Sequence, residues 1–113
     1  MSRDRATLLD IAKAAGLVIE FTRGMDRGAF LNDVKTQSAV LHQLLILGEA
    51  VKRLSTEFRA GHPEIPWQLI AGMRDKLVHE YNEVDLDEVW RTVQREVPPL
   101  RRFIEPLLPS EEK

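Results

Sequence analysis

Val40-Leu41-His42-Gln43-Leu44-Leu45-Ile46-Leu47-Gly48-Glu49-Ala50-Val51 lies near the middle of the chain, and its reading decides the fold. Val40, Leu44, Leu47 and Val51 step by four, three and four, and Leu54 and Phe58 continue the series. A helix returns one face at that spacing, so the series is the seam of a bundle. The spacing predicts one long helix over residues 33–59. Leu41, Leu45 and Gly48 form a second apolar face, and Ile46 is apolar again. A helix that is apolar nearly all round is either central in its own domain or covered by a partner. Covering every face within one small bundle is difficult, so the second face points to a dimer. A buried central helix in a monomer is the other reading.

Working outward, Leu8, Ile11, Ala15, Val18 and Ile19 recur at helical spacing and predict a helix over residues 4–21, with Gly24 as its terminator. A helical turn capped by Asp26 is expected within residues 25–32. Ala60 to Pro66 holds two prolines and a glycine within seven residues and reads as a loop. Pro66 suits the first turn of the next helix, whose core stripe is Ile70, Met73 and Leu77. Gly72 in that helix leaves room for another backbone to approach closely. Asp85 caps a last helix in which Leu86, Trp90, Val93, Val97, Leu100, Ile104 and Leu107 keep a four–three seam. Pro98-Pro99 interrupts its hydrogen-bond ladder, and the unbroken phase predicts a bent rod. Pro106 and Pro109 end it, and residues 110–113 read as a frayed tail. No alternating strand pattern occurs, so the expected class is all-α.

The 113 residues suffice for one domain, taken as 1–113, with one core. Apolar content of 43% and charged content of 30% are globular values. There is no cysteine, which excludes disulfides and thiolate metal sites. No signal peptide and no run long enough for a membrane span is seen, so a soluble, cytoplasmic protein with no membrane partner is expected. The net charge of −2 argues against a generic nucleic-acid coat, so RNA contact requires a local patch.

Chemistry concentrates in Arg74-Asp75-Lys76-Leu77-Val78-His79-Glu80-Tyr81, which holds one of three histidines and the single tyrosine. An arginine holds phosphate, a histidine moves protons near neutral pH, and a phenol is a nucleophile or an acceptor. At ~100° per residue, Arg74 and Tyr81 share a face while His79 points roughly 140° away from Arg74. One helix brings Arg74 and His79 to one site only if it ends near His79, or if two copies of the motif meet across a two-fold axis. Asn82, followed by the cap Asp85, supports an end there.

Arg-Asp-x-x-x-His-x-Tyr at residues 74–81 resembles the R-x4-H-x-Y motif of HepT-like HEPN-domain proteins. Lys35-Thr36-Gln37, Gly48-Glu49-Ala50, Pro63-Glu64-Ile65-Pro66-Trp67, Val84-Asp85-Leu86 and Val89-Trp90 match the flanks in order, over about residues 8–107. R-x4-H alone is weak; the ordered set is specific. The resemblance implies an antiparallel four- to five-helix HEPN-like bundle that pairs into a homodimer with its motifs facing. It implies a metal-independent endoribonuclease toxin of a toxin–antitoxin pair, with a minimal nucleotidyltransferase (MNT-type) as antitoxin and no cofactor. Arg74 and His79 map to the catalytic pair, Asp75 to the polar residue beside it, and Tyr81 to an acceptor of AMP.

Each residue also has a plain reading. His79 is then a last-turn histidine on a helix end, Arg74 an ion-pair partner of Asp75, Glu49 or Glu80, and Tyr81 a half-buried staple. Asp75 either orients His79 or pairs with Arg74. His42 and His62 are expected to be structural or exposed, and no His/Asp/Glu spacing fits a metal. Arg91, Arg95 and Arg102 form a stripe that is either a solvated face or an RNA guide. The competing function is a non-catalytic helical subunit that docks a nucleotidyltransferase and presents nucleotide or substrate to it.

Overall fold

The computed structural model describes residues 2–108, and within them every regular element is helical. In chain order these are α1 (Ser2–Phe21), α2 (Arg27–Leu31), α3 (Val34–Arg53), α4 (Thr56–Ala60), α5 (Trp67–His79), α6 (Leu86–Arg95) and α7 (Val97–Ile104). Short 3-10 turns at Tyr81–Glu83 and Glu105–Leu107 follow α5 and α7. The expected frayed tail at residues 110–113, and Pro109, lie outside the described residues. No described helix is long and apolar enough to cross a membrane.

α3 is the central rod. Val40, Leu44, Leu47, Val51 and Leu54 are buried, and Phe58 packs partly buried against the same core. α1 lies along it antiparallel: Asp4 near the start of α1 bonds Ser55, and Asp10 bonds Arg53. α5 covers another side, and α6–α7 close the bundle around Val89, Val93, Val97, Leu100 and Ile104. Phe30 of α2 is fully buried and lies 5.2 Å from the Trp90 ring, which seals one end.

The caps explain the boundaries. Asp26 accepts from the Ala29 N–H at 2.8 Å and Asp33 from that of Thr36 at 3.1 Å, each satisfying an otherwise orphaned donor. Gly24 turns the chain with φ of +77°, a conformation that costs glycine little. The long helix expected over residues 33–59 is corrected to two segments. Leu54 is extended, with φ −64° and ψ 146°, and the Ser55 hydroxyl caps α4 by accepting from the Phe58 N–H. The cause is tertiary: the Asp4 carboxylate takes both the Ser55 N–H, at 3.0 Å, and its hydroxyl, at 2.8 Å. Those bonds hold the Asp4 carboxyl below its ordinary range, the hydroxyl contributing most and burial opposing.

The last rod bends as the paired prolines require. α6 stops at Arg95, Glu96 is the junction, and Pro98-Pro99 falls in the first turn of α7. Burial of Val93, Val97, Leu100 and Ile104 shows the seam in phase across the bend. Leu107 leaves it, at 39% exposure.

Candidate active site

α5 carries the Arg74–Tyr81 motif and is fixed at three points along its length. At its start, Trp67 donates its indole N–H to the His62 carbonyl at 3.0 Å, inside an aromatic group with Phe58, His62 and Phe103. In its middle it presses against Gly48 of α3. A Cβ built on Gly48 would lie 2.2 Å from the Arg74 Cβ and 3.3 Å from its Cα, so only glycine admits this approach. Near its end, Lys76 reaches Glu88 of α6 at 2.9 Å, and this contact raises the lysine's proton affinity. The Glu88 side chain thereby ties α6 to α5, while its backbone N–H donates to the capping Asp85 at 3.3 Å.

The close approach positions Arg74 within a chain of charges that runs Glu49, Arg74, Asp75, Lys52. Arg74 Nη2 donates to Glu49 at 2.6 Å and Nη1 to Asp75 at 3.0 Å, while Lys52 Nζ donates to the same Asp75 oxygen at 2.9 Å. Asp75, and then Glu49, push the guanidinium further above its ordinary range; Lys52, and then Arg74, pull the Asp75 carboxyl down. Arg74 remains a cation at any working pH, so the network's value is geometric. It fixes a planar fork, and the Nε is shielded from solvent without a partner of its own.

Asp75 therefore faces Arg74 and Lys52, not His79. α5 ends at His79, the first of the two arrangements the spacing allowed. Glu80 leaves helical geometry at φ −134°, ψ 38°, and Tyr81 begins a 3-10 turn. His79 is exposed, Tyr81 is 44% exposed and Val78 47%. Lys76 and His79 in the last turn suit the negative helix end. Within one chain no hydrogen bond or ion pair among the described residues joins Arg74 to His79. One copy thus holds the two candidate residues apart, the arginine ion-paired and the imidazole exposed.

Three further sequence expectations meet the structure here. The second apolar face of α3 is largely covered from within, since Leu41 and Gly48 are buried; Ile46 stays 38% exposed. Gly72 meets nothing within 4 Å among the described residues, so no described backbone uses the gap it leaves. Arg91 and Arg95 share a shallow depression with Glu88 and Glu96, which offsets their charge, and Arg102 lies beyond the bend on α7. Lys52 escaped the sequence reading, although its spacing of three from Glu49 places both on one side of α3.

The family model for ribonuclease HepT-like proteins matches residues 11–107. A probable ribonuclease HepT of Thermococcus cleftensis is 48% identical over 100 residues, covering 88% of this chain and 91% of its own. A protein of Caldanaerobacter subterraneus subsp. tengcongensis, described as a candidate RNase, is 39% identical over 111 residues, covering 98% and 99%. In Methanocaldococcus jannaschii a protein named both gamma-glutamylcyclotransferase and candidate RNase is 36% identical over 94 residues, which is 42% of its length. No solved structure matches the chain. With the match spanning the motif helix and the helices that hold it, the chain belongs to the ribonuclease HepT-like family.

Proposed function

We propose that the protein is a metal-independent endoribonuclease, the toxin of a toxin–antitoxin pair, acting as a homodimer of one HEPN-like domain per chain. The observation that carries this reading is the division of the motif in one chain: Arg74 pinned between Glu49 and Asp75, His79 exposed at the helix end. A two-fold pairing of α5 ends supplies two imidazoles and two guanidiniums to one groove. The exposed apolar side chains of Val78 and Tyr81 beside His79 support burial of that end against a second copy.

In that groove one His79 takes the proton of an RNA 2′-hydroxyl as its oxygen attacks the adjacent phosphorus. The other His79 gives a proton to the departing 5′-oxygen as its bond to phosphorus breaks. The Arg74 forks hold the phosphoryl oxygens, whose charge grows in the pentacoordinate state. Asp75 acts through Arg74 by fixing its plane. The expected products end in 2′,3′-cyclic phosphate and 5′-hydroxyl, which mass spectrometry of a digested oligonucleotide reads directly. Ends bearing 5′-phosphate would exclude attack by the 2′-hydroxyl.

An MNT-type nucleotidyltransferase is the proposed antitoxin, with Tyr81 as its target. The phenolic oxygen bonds to the α-phosphorus of ATP, pyrophosphate leaves, and the phenolic proton passes to a base. The AMP left on Tyr81 puts a bulky anion beside His79 and repels the RNA phosphate. Tyr81→Phe is expected to cleave RNA and to take no label from radioactive ATP in the presence of the partner. Labelling of the Phe variant at equal yield would place the acceptor elsewhere.

One observation favours the second reading, a non-catalytic subunit that docks the nucleotidyltransferase and presents nucleotide to it. Two carboxylates already surround the Arg74 guanidinium, offsetting the charge a phosphate needs. Purified protein that forms no cleavage products at all would decide for it.

A further inference from the structure

At the end of the bundle where α1 begins and α3 stops, the charge of the chain is locally reversed. Arg3, Lys52, Arg53 and Arg59 line a surface cavity of about 380 Å³ in which Asp4 is the one carboxylate. The chain as a whole carries 16 basic and 18 acidic residues. Asp4 is spent on Ser55, which it holds through both of its oxygens. Arg53 has Asp10 as a partner and Lys52 has Asp75, whereas Arg3 and Arg59 have no carboxylate partner among the described residues. The Arg59 Nε is shielded from solvent and unbonded. The same is true of Arg74 and Arg101, so what distinguishes the cavity is two guanidiniums, of Arg3 and Arg59, that no described carboxylate neutralises in a concave basic site, an arrangement that suits an oxyanion.

We propose that this cavity binds a backbone phosphate of RNA, flanking the linkage that is cut. The ligand assignment rests on the ribonuclease reading. Lys52 supplies the connection, since it lines the cavity and its Nζ lies 2.9 Å from the Asp75 that fixes Arg74. A strand held by Arg3 and Arg59 therefore passes Lys52 on its way to the Arg74 fork. A protein partner is disfavoured because such interfaces need an apolar centre, and Leu54, the cavity's aliphatic residue, is only 2% exposed. The depression by Arg91 and Arg95 differs in kind, because two carboxylates line it with the two cations.

The test measures binding of a fluorescent single-stranded RNA of about 12 nucleotides, within the span single-strand sites cover. His79→Ala is the background, so that no cleavage intervenes. Arg3→Gln/Arg59→Gln is compared with Arg23→Gln/Lys35→Gln, which removes the same charge at the opposite end of the bundle. Melting temperatures confirm that both fold. The cavity pair is expected to weaken binding at least tenfold and to make the salt dependence shallower by about 1.4 in log–log slope, as two lost single-strand contacts require. The control pair is expected to change neither by more than a small fraction of that. Equal losses in both pairs, or no loss in the cavity pair, would overturn the assignment. So would unchanged RNA affinity combined with loss of polyglutamate binding, which would give the cavity to an acidic protein. Inorganic phosphate that stabilises the parent, but not the cavity pair, while RNA affinity stays unchanged would give it to a free anion. The two readings separate cleanly. A wild-type chain that cuts no RNA yet shows the binding difference keeps the site and removes the ribonuclease; cleavage with unaltered binding does the reverse.

Discussion

Gly48→Ala is expected to lower the melting temperature by roughly 5–10 °C, and Gly72→Ala to raise it. Alanine favours a helix interior over glycine by about 1 kcal/mol, so both substitutions begin with the same gain. At Gly72 nothing lies within 4 Å of the new methyl and the gain survives. At Gly48 the methyl would sit 2.2 Å from the Arg74 Cβ and 3.3 Å from its Cα, so α3 and α5 must separate. Overpacking of this kind costs about 1–3 kcal/mol, and the obstacle is backbone as well as side chain, which puts the cost at the upper end. A net loss of about 1–2 kcal/mol in a domain of this size gives the stated shift. Nuclease activity should fall further than stability does, because the displaced group is Arg74 itself. Calorimetry of the two variants side by side reads the contrast. An unchanged melting temperature for Gly48→Ala would mean that α5 does not rest on Gly48. Destabilisation by Gly72→Ala would show that another chain fills the space there.

Arg74→Ala is expected to reduce kcat/KM for RNA by at least about 10²-fold, the scale of losing a positioned charge at a developing oxyanion. Arg74→Lys should recover little. An ammonium is a point charge, and it cannot bridge Glu49 and Asp75 while keeping donors in a plane for phosphate. Stability should change far less than activity. Glu49 and Asp75 are about half exposed, and ion pairs of that kind contribute little. Steady-state kinetics beside thermal melting separates the two effects. Wild-type cleavage by a folded Arg74→Ala protein would remove the guanidinium from the mechanism.

Much of this architecture is visible in the chain because the relevant signals are local. The four–three seams through Val40 to Leu54 and Val93 to Ile104 mark buried faces, and the caps at Asp26 and Asp85 mark helix starts. The end of α5 at His79 agrees with the stop that Asn82 and the following cap Asp85 signal. What escaped depends on partners distant in sequence. Leu54 and Phe58 fit one continuous seam, yet the helix breaks between them because Asp4, 51 residues before Ser55, claims its N–H and hydroxyl. Periodicity showed that the Gly48 face of α3 must be covered, but it cannot distinguish α5 of the same chain from a second molecule. The Gly48–Arg74 contact is written in two helices at once and in neither alone. The same holds for the tie between Lys52 and Asp75, 23 residues apart, which turns Asp75 toward the arginine and away from the histidine.

Cleavage of RNA in excess EDTA, by the wild-type protein and by a folded His79→Ala variant, tests the central claim most directly. With the imidazole as proton carrier and the guanidinium as charge, chelation should leave the wild-type rate unchanged. Loss of the imidazole should lower that rate by about 10²- to 10⁴-fold, the range for a general acid–base group. Wild-type activity abolished by EDTA and restored by a divalent cation, or a His79→Ala protein as fast as its parent, would contradict it.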